Sequence, residues 1–102
     1  MIFPMKNFEE LIKGETPVLV DFYATWCGPC RMMKPVIEDL EKRVGNKARF
    51  IKIDVDENED LALRYNVQSV PTFIIFKNGQ VVWRDSGVRK AHLLEQILSK
   101  FY

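Results

Sequence analysis

The chain has 102 residues, 47 % of them apolar, and its fifteen Lys and Arg against fourteen Asp and Glu leave a formal net charge of +1. A chain of this size leaves about 6,000 Å² exposed out of an unfolded total near 17,400 Å², enough for one hydrophobic core and too little for two. One domain spanning residues 1–102 is expected, without a disulfide framework or a structural metal. The charges are interspersed, so the positive patch that phosphate backbones require is missing and nucleic acid is excluded as an expected partner. No apolar run approaches the ~20 residues of a membrane span, and Met1 to Gly14 lacks the basic start and apolar stretch of a signal peptide, so a cytoplasmic protein with no membrane partner is expected.

In chain order, Asn7 and Glu10 form a capping-box-like pattern that predicts a helix with Phe8, Leu11 and Ile12 on its apolar face and Gly14 as its stop. Only Ile2 and Phe3 precede Pro4, so any strand before this helix is expected to be brief or confined to a sheet edge. Val18 to Tyr23 is nearly continuous apolar, the pattern of a strand covered on both faces, broken by Asp21. Met33, Val36, Ile37, Leu40 and Val44 recur at helical spacing up to Gly45, and Phe50, Ile51, Ile53 and Val55 mark a second strand. A strand, a helix and a strand in this order make a βαβ unit with parallel strands.

A shorter helix is expected from Asn58 to Tyr65, then a strand at Thr72 to Phe76. Asn78-Gly79 separates that strand from Val81-Val82-Trp83, a hairpin signal because both turn residues tolerate positive φ. Leu93, Leu94, Ile97, Leu98 and Phe101 give a final helix one apolar face. Pro35 is expected to kink the long helix, and Trp83, Met32 and Met33 are read as packing residues. The sum is an α/β domain with a mixed sheet, parallel in its βαβ unit and antiparallel in its hairpin, with helices on both faces.

The two cysteines, Cys27 and Cys30, sit within Trp26-Cys27-Gly28-Pro29-Cys30, where the first core strand hands over to a helix. Unpaired N–H groups and the positive end of the helix dipole favour a thiolate there and lower the pKa of Cys27. Cys30, inside the first turn and shielded by it, faces the same side, close enough to pair with Cys27. Pro29 costs nothing in the first turn and stiffens the loop. Two inert buried thiols are the bland alternative, but a Gly-Pro bracket at a helix start is not typical core. Zinc needs four ligands, and the chain offers two thiols and the lone His92; a haem attachment motif fails because Arg31 follows Cys30. Thiol–disulfide exchange is the reading left standing, and no metal is expected.

The segment Val20-Asp21-Phe22-Tyr23-Ala24-Thr25-Trp26-Cys27-Gly28-Pro29-Cys30, with Val70-Pro71-Thr72, Lys77-Asn78-Gly79 and Gly87 in the same order and spacing, resembles the thioredoxin family from about Val18 onward. Tyr23 stands where many members carry tryptophan, and Arg31 where lysine is common. The resemblance implies a thioredoxin fold and a protein-disulfide reductase in which Cys27 attacks a client disulfide and Cys30 resolves the intermediate. It places Asp21 beneath Cys30 as its proton acceptor and donor, with Lys52 as the matching charge partner. It also implies a cis bond at Val70-Pro71, and a flat apolar rim for clients formed by Trp26, Gly28, Pro29, Val70, Pro71 and Gly87. By the same resemblance the chain holds no cofactor, acts as a monomer, and is reset by a flavin-dependent thioredoxin reductase with electrons from NADPH. A redox-idle binding or chaperone module, and a metal-bridged dimer, are the rival readings.

Overall fold

The β-branched run at Val18–Tyr23 (β1) becomes the second strand of a four-stranded sheet, and the computed structural model describes all residues from Met1 to Tyr102 around it. The other strands are Arg49–Asp54 (β2), Thr72–Lys77 (β3) and Gln80–Ser86 (β4), in the spatial order β2-β1-β3-β4. β1 runs parallel to β2 and antiparallel to β3, and β3 runs antiparallel to β4. The helices are Met5–Leu11 (α1), Gly28–Val44 (α2), Glu59–Arg64 (α3) and Ala91–Ser99 (α4), with a short 3₁₀ turn at Gly45–Lys47. None of them is long and apolar enough to cross a membrane.

Alternation along β1 assigns its residues to two cores. Val18, Val20 and Phe22 face α1 and α3, where they join Phe8, Ile12, Ile53, Leu61, Ile74 and Phe76. Leu19 faces the other way and joins Phe73 and Ile75 under Met33, Ile37, Leu40 and Val44 of α2 and Leu94 and Leu98 of α4. Asp21, two residues beyond Leu19, therefore lies on the α2 and α4 face. Its register partners are Lys52 on β2 and Phe73 on β3.

The hairpin turn is as the sequence implies, with Asn78 at φ +54° and Gly79 at φ +79°. Gly45 ends α2 at φ +60°, and Pro35 sits inside that helix. Several expectations are corrected. Pro4, not Asn7, precedes the first helical residue, and no side chain caps α1. The helix starts early because Pro4 carries the fixed φ that suits a helix entrance, here −56°. No strand forms before α1; Asn58 ties that segment down instead. Its Oδ1 accepts the Phe3 N–H at 2.7 Å, and its Nδ2 donates to the carbonyls of Met1 at 2.9 Å and Asp54 at 3.0 Å. Asn58 thus holds the N-terminus rather than lending its side chain to α3. Leu93 on α4 and Met32 on α2 are exposed, because the residues beside them, Leu94 and Met33, take the positions that face the core.

Candidate active site

The strand-to-helix junction after β1 places the cysteines at the start of α2, where Cys27 is the residue that precedes the first helical turn. Its extended backbone, φ −89° and ψ 113°, turns its Sγ back over the open end of the helix, and the backbone N–H of Cys30 donates to that sulfur at 3.1 Å. Pro29 occupies the first turn without an unpaired donor. Cys27 and Cys30 are joined in a disulfide, with Cα atoms 5.3 Å apart. Arg31 is held beside the junction, its guanidinium donating to the Thr25 carbonyl at 3.2 Å.

The Val70-Pro71 peptide is cis, and the Val70 carbonyl oxygen lies 3.7 Å from the Cys27 sulfur. Two contacts hold this loop: Thr72 Oγ1 donates to the Ser69 carbonyl at 2.6 Å, and Gly87 N–H donates to the Pro71 carbonyl at 2.9 Å. Gly87 itself is at φ +95°, a conformation that glycine accepts and other residues resist. Gly87 and the Pro71 loop are thereby brought to the same end of the sheet as the disulfide.

The expected rim is only partly a surface. Trp26, Gly28 and Pro29 are exposed and Val70 and Gly87 half-buried, but Pro71 is buried. The expected order of shielding is also reversed: Cys27 is 3 % exposed, whereas Cys30 is half-buried. The Val70 carbonyl and the Cys30 amide both lie against the Cys27 sulfur. Sequence reasoning missed the rest of the groove. Val55, Val67, Gln68 and Ser69 join Trp26 and Val70 around a cavity of about 160 Å³ beside the disulfide. Gln68 and Ser69 were within reach as the two residues before Val70-Pro71; Val55 and Val67 come from the ends of other elements and carry no local signal. The Trp26 indole is fixed by donating from Nε1 to Asp56 at 2.8 Å, and Asp56 is held in turn by its N–H donating to Asp54 at 2.9 Å.

Asp21 is 7 % exposed, and its Oδ1 is buried without a hydrogen-bond partner. Burial pushes its carboxyl up from 3.8 to about 6, and the Lys52 ammonium pulls partly the other way. Lys52 faces Asp21 across β1 and β2 but forms no ion pair with it. Its ammonium sits instead over the ring of Tyr23, 4.7 Å from the centroid. Burial, with the carboxylates of Asp54, Glu57 and Asp21 nearby, pushes the Tyr23 hydroxyl up.

A mixed sheet with helices on both faces, and a cysteine pair at a helix start facing a cis-proline loop, defines the thiol–disulfide oxidoreductases of thioredoxin fold. A family model described as Thioredoxin matches residues 1–100, and the chain belongs to the thioredoxin family. It is 44 % identical over 87 residues to thioredoxin from Bacillus subtilis, covering 85 % of this chain and 84 % of that one. Chloroplastic thioredoxin Y from rice is 47 % identical over 95 residues, 91 % of this chain and 56 % of that protein, so the chain spans just over half its length. The solved structure of Plasmodium falciparum thioredoxin superposes with a TM-score of 0.86 at 36 % identity, over 99 % of this chain and 98 % of that one.

Proposed function

We propose that this chain is a protein-disulfide reductase and two-electron carrier in which Cys27 is the attacking thiolate. The observation that carries the reading is the Cys27 sulfur at the open start of α2 with an amide N–H aimed at it from 3.1 Å, which favours negative charge on that sulfur. The Cys27 thiolate attacks one sulfur of a client disulfide; the client's S–S bond breaks, a Cys27–client disulfide forms, and one client thiolate leaves. Asp21 takes the proton of Cys30, whose thiolate then attacks the Cys27 sulfur. The mixed disulfide breaks, the Cys27–Cys30 disulfide forms, and the second client thiolate leaves and is protonated. Two electrons pass from the dithiol to the client.

Clients dock as extended chains in the groove beside Trp26 and Val70, through main-chain hydrogen bonds to the loop before Pro71 and apolar contact with Trp26. The open space above Gly28, where an added Cβ meets nothing within 4 Å, suits such a chain. A flavin-dependent thioredoxin reductase restores the dithiol with electrons from NADPH; the protein works as a monomer in the cytoplasm, and the whole of residues 1–102 serves as one domain.

Exposure alone favours the reverse order of attack, since Cys27 is the better covered of the two, so trapping decides the assignment. With Cys30→Ser, clients remain covalently attached through Cys27; with Cys27→Ser, almost none are trapped, and turnover of a generic protein disulfide is abolished. Trapping by Cys27→Ser and none by Cys30→Ser would reverse the two roles. A protein that reduces no disulfide with both cysteines intact and reduced would be a binding module.

A further inference from the structure

The ring of Tyr23 has an occupant that the exchange chemistry leaves unexplained. Lys52 is an exposed residue on an edge strand, free to extend into solvent, yet its Nζ lies 4.7 Å from the Tyr23 ring centroid, within the range of a cation–π contact. Register makes the contact informative. Asp21 and Lys52 are partners across β1 and β2, and Tyr23 stands two residues from Asp21 on the same side of β1. The ring therefore holds an ammonium on the sheet face that carries the one buried carboxylate oxygen without a partner. We propose that Tyr23 is a positioning residue: its ring keeps the Lys52 ammonium at a fixed place on the Asp21 side of the sheet, and so sets the charge against which the Asp21 carboxyl gains and loses its proton.

The surroundings leave few competitors for this role. From β3, the residue opposite Asp21 is Phe73, and the buried α2 and α4 side chains over this face, Met33, Ile37, Leu40, Leu94 and Leu98, carry no charge. Lys52 is the charged group that acts on Asp21. Asp54 on β2 and Glu57 in the following turn face Tyr23 together with Asp21, and place negative charge around the ammonium's seat. Cys27 and Cys30 do not titrate in the disulfide form. A ring without its hydroxyl would hold the cation equally well, because the attraction comes from the π face.

The inference rests on the reading of Asp21 as the proton carrier, but its test does not. The Asp21 side-chain carbon is followed by NMR as pH is varied, in the oxidised protein so that neither thiol contributes. Tyr23→Leu is expected to raise the Asp21 midpoint by about half a pH unit, a threefold change in its ionisation ratio, because the freed ammonium moves into solvent. Tyr23→Phe leaves the midpoint unchanged. Lys52→Gln raises it at least as far as Tyr23→Leu does, and adding Tyr23→Leu to Lys52→Gln produces no further rise. Equal shifts from Tyr23→Leu with and without Lys52, a null effect of Tyr23→Leu alone, or a Tyr23→Phe shift as large as that of Tyr23→Leu would each overturn the proposal. Failure of the proton-carrier reading shows elsewhere, as unimpaired client turnover by Asp21→Asn, and leaves this titration result standing.

Discussion

The two faces of the sheet are built to different standards. Under α1 and α3 the core is centred on three rings: Phe76 meets Phe8 at 5.6 Å and Tyr65 at 5.2 Å, both edge-on, near 80°, and the buried polar side chains on this side, Thr72 and Asn58, are hydrogen-bonded. Under α2 and α4 a second buried core borders Asp21, which has a buried oxygen with no partner. Burying a carboxylate this way is unfavourable, and nothing in the fold requires it, since β1 would be a better strand with an apolar residue there. The difference separates the face that holds the domain together from the face on which the cysteine-bearing helix is mounted.

Breaking the first face should produce the largest stability loss with the least effect on chemistry. Phe76 is fully buried, and Phe76→Ala removes a ring and leaves a cavity, for a loss of about 3–5 kcal/mol in denaturant titration. Folded Phe76→Ala protein should still trap clients when combined with Cys30→Ser; loss of trapping from a protein shown to be folded would mean that the two faces are not separable. Asp21→Asn tests the second face and should move stability upward. The folded carboxyl lies at about 6 against 3.8, so the native state holds its proton more tightly than the unfolded chain and wild-type stability falls as pH rises across that interval. The gain from Asp21→Asn is therefore absent below about pH 4, grows between 4 and 6, and above 6 reaches about 3 kcal/mol at most. Paired denaturant titrations of the oxidised proteins at several pH values measure it. Turnover of clients should fall in the same variant, so that stability and activity move in opposite directions.

Much of this was legible beforehand because the signals are local. A continuous apolar run placed β1, alternation placed β2, helical spacing placed the apolar faces of α2 and α4, Asn78-Gly79 fixed the hairpin, and the two cysteines at a helix start announced their chemistry without a fold. Asp21 was visible as a charge inside an apolar strand. What escaped was set by competition among neighbours far apart in sequence. Asn7 reads as a cap until Pro4 starts the helix earlier, and nothing near Asn58 in the sequence points to the N-terminal segment that its amide holds. The resemblance implies Lys52 as the charge partner of Asp21; its seat over Tyr23 depends on the register of two strands, which no single strand's pattern reveals. The reversed shielding of the cysteines likewise depends on where the Val70 carbonyl falls.

The smallest effect distinguishes the two glycines of the site. At Gly28 an added Cβ meets nothing within 4 Å and the backbone is helical, so Gly28→Ala should change stability by no more than about 0.5 kcal/mol. Gly87 is different on two counts: its φ of +95° strains any residue with a Cβ, and that Cβ would lie 3.3 Å from Nη1 of Arg89. Gly87→Ala should therefore cost about 1–2 kcal/mol, and the two causes can be told apart. The Arg89 guanidinium is the far end of a flexible side chain, held by a 2.8 Å ion pair to Asp85, and can give way by a few tenths of an ångström. If the backbone is the cause, the cost of Gly87→Ala is unchanged in an Arg89→Ala background; if the guanidinium is the cause, the cost disappears there. The backbone is expected to dominate, and because Gly87 N–H donates to the Pro71 carbonyl, the strain should pass into the loop over Cys27 and lower client turnover as well as stability. Equal stability losses at the two glycines would show that the turn at Gly87 adapts and that the Pro71 loop does not depend on it.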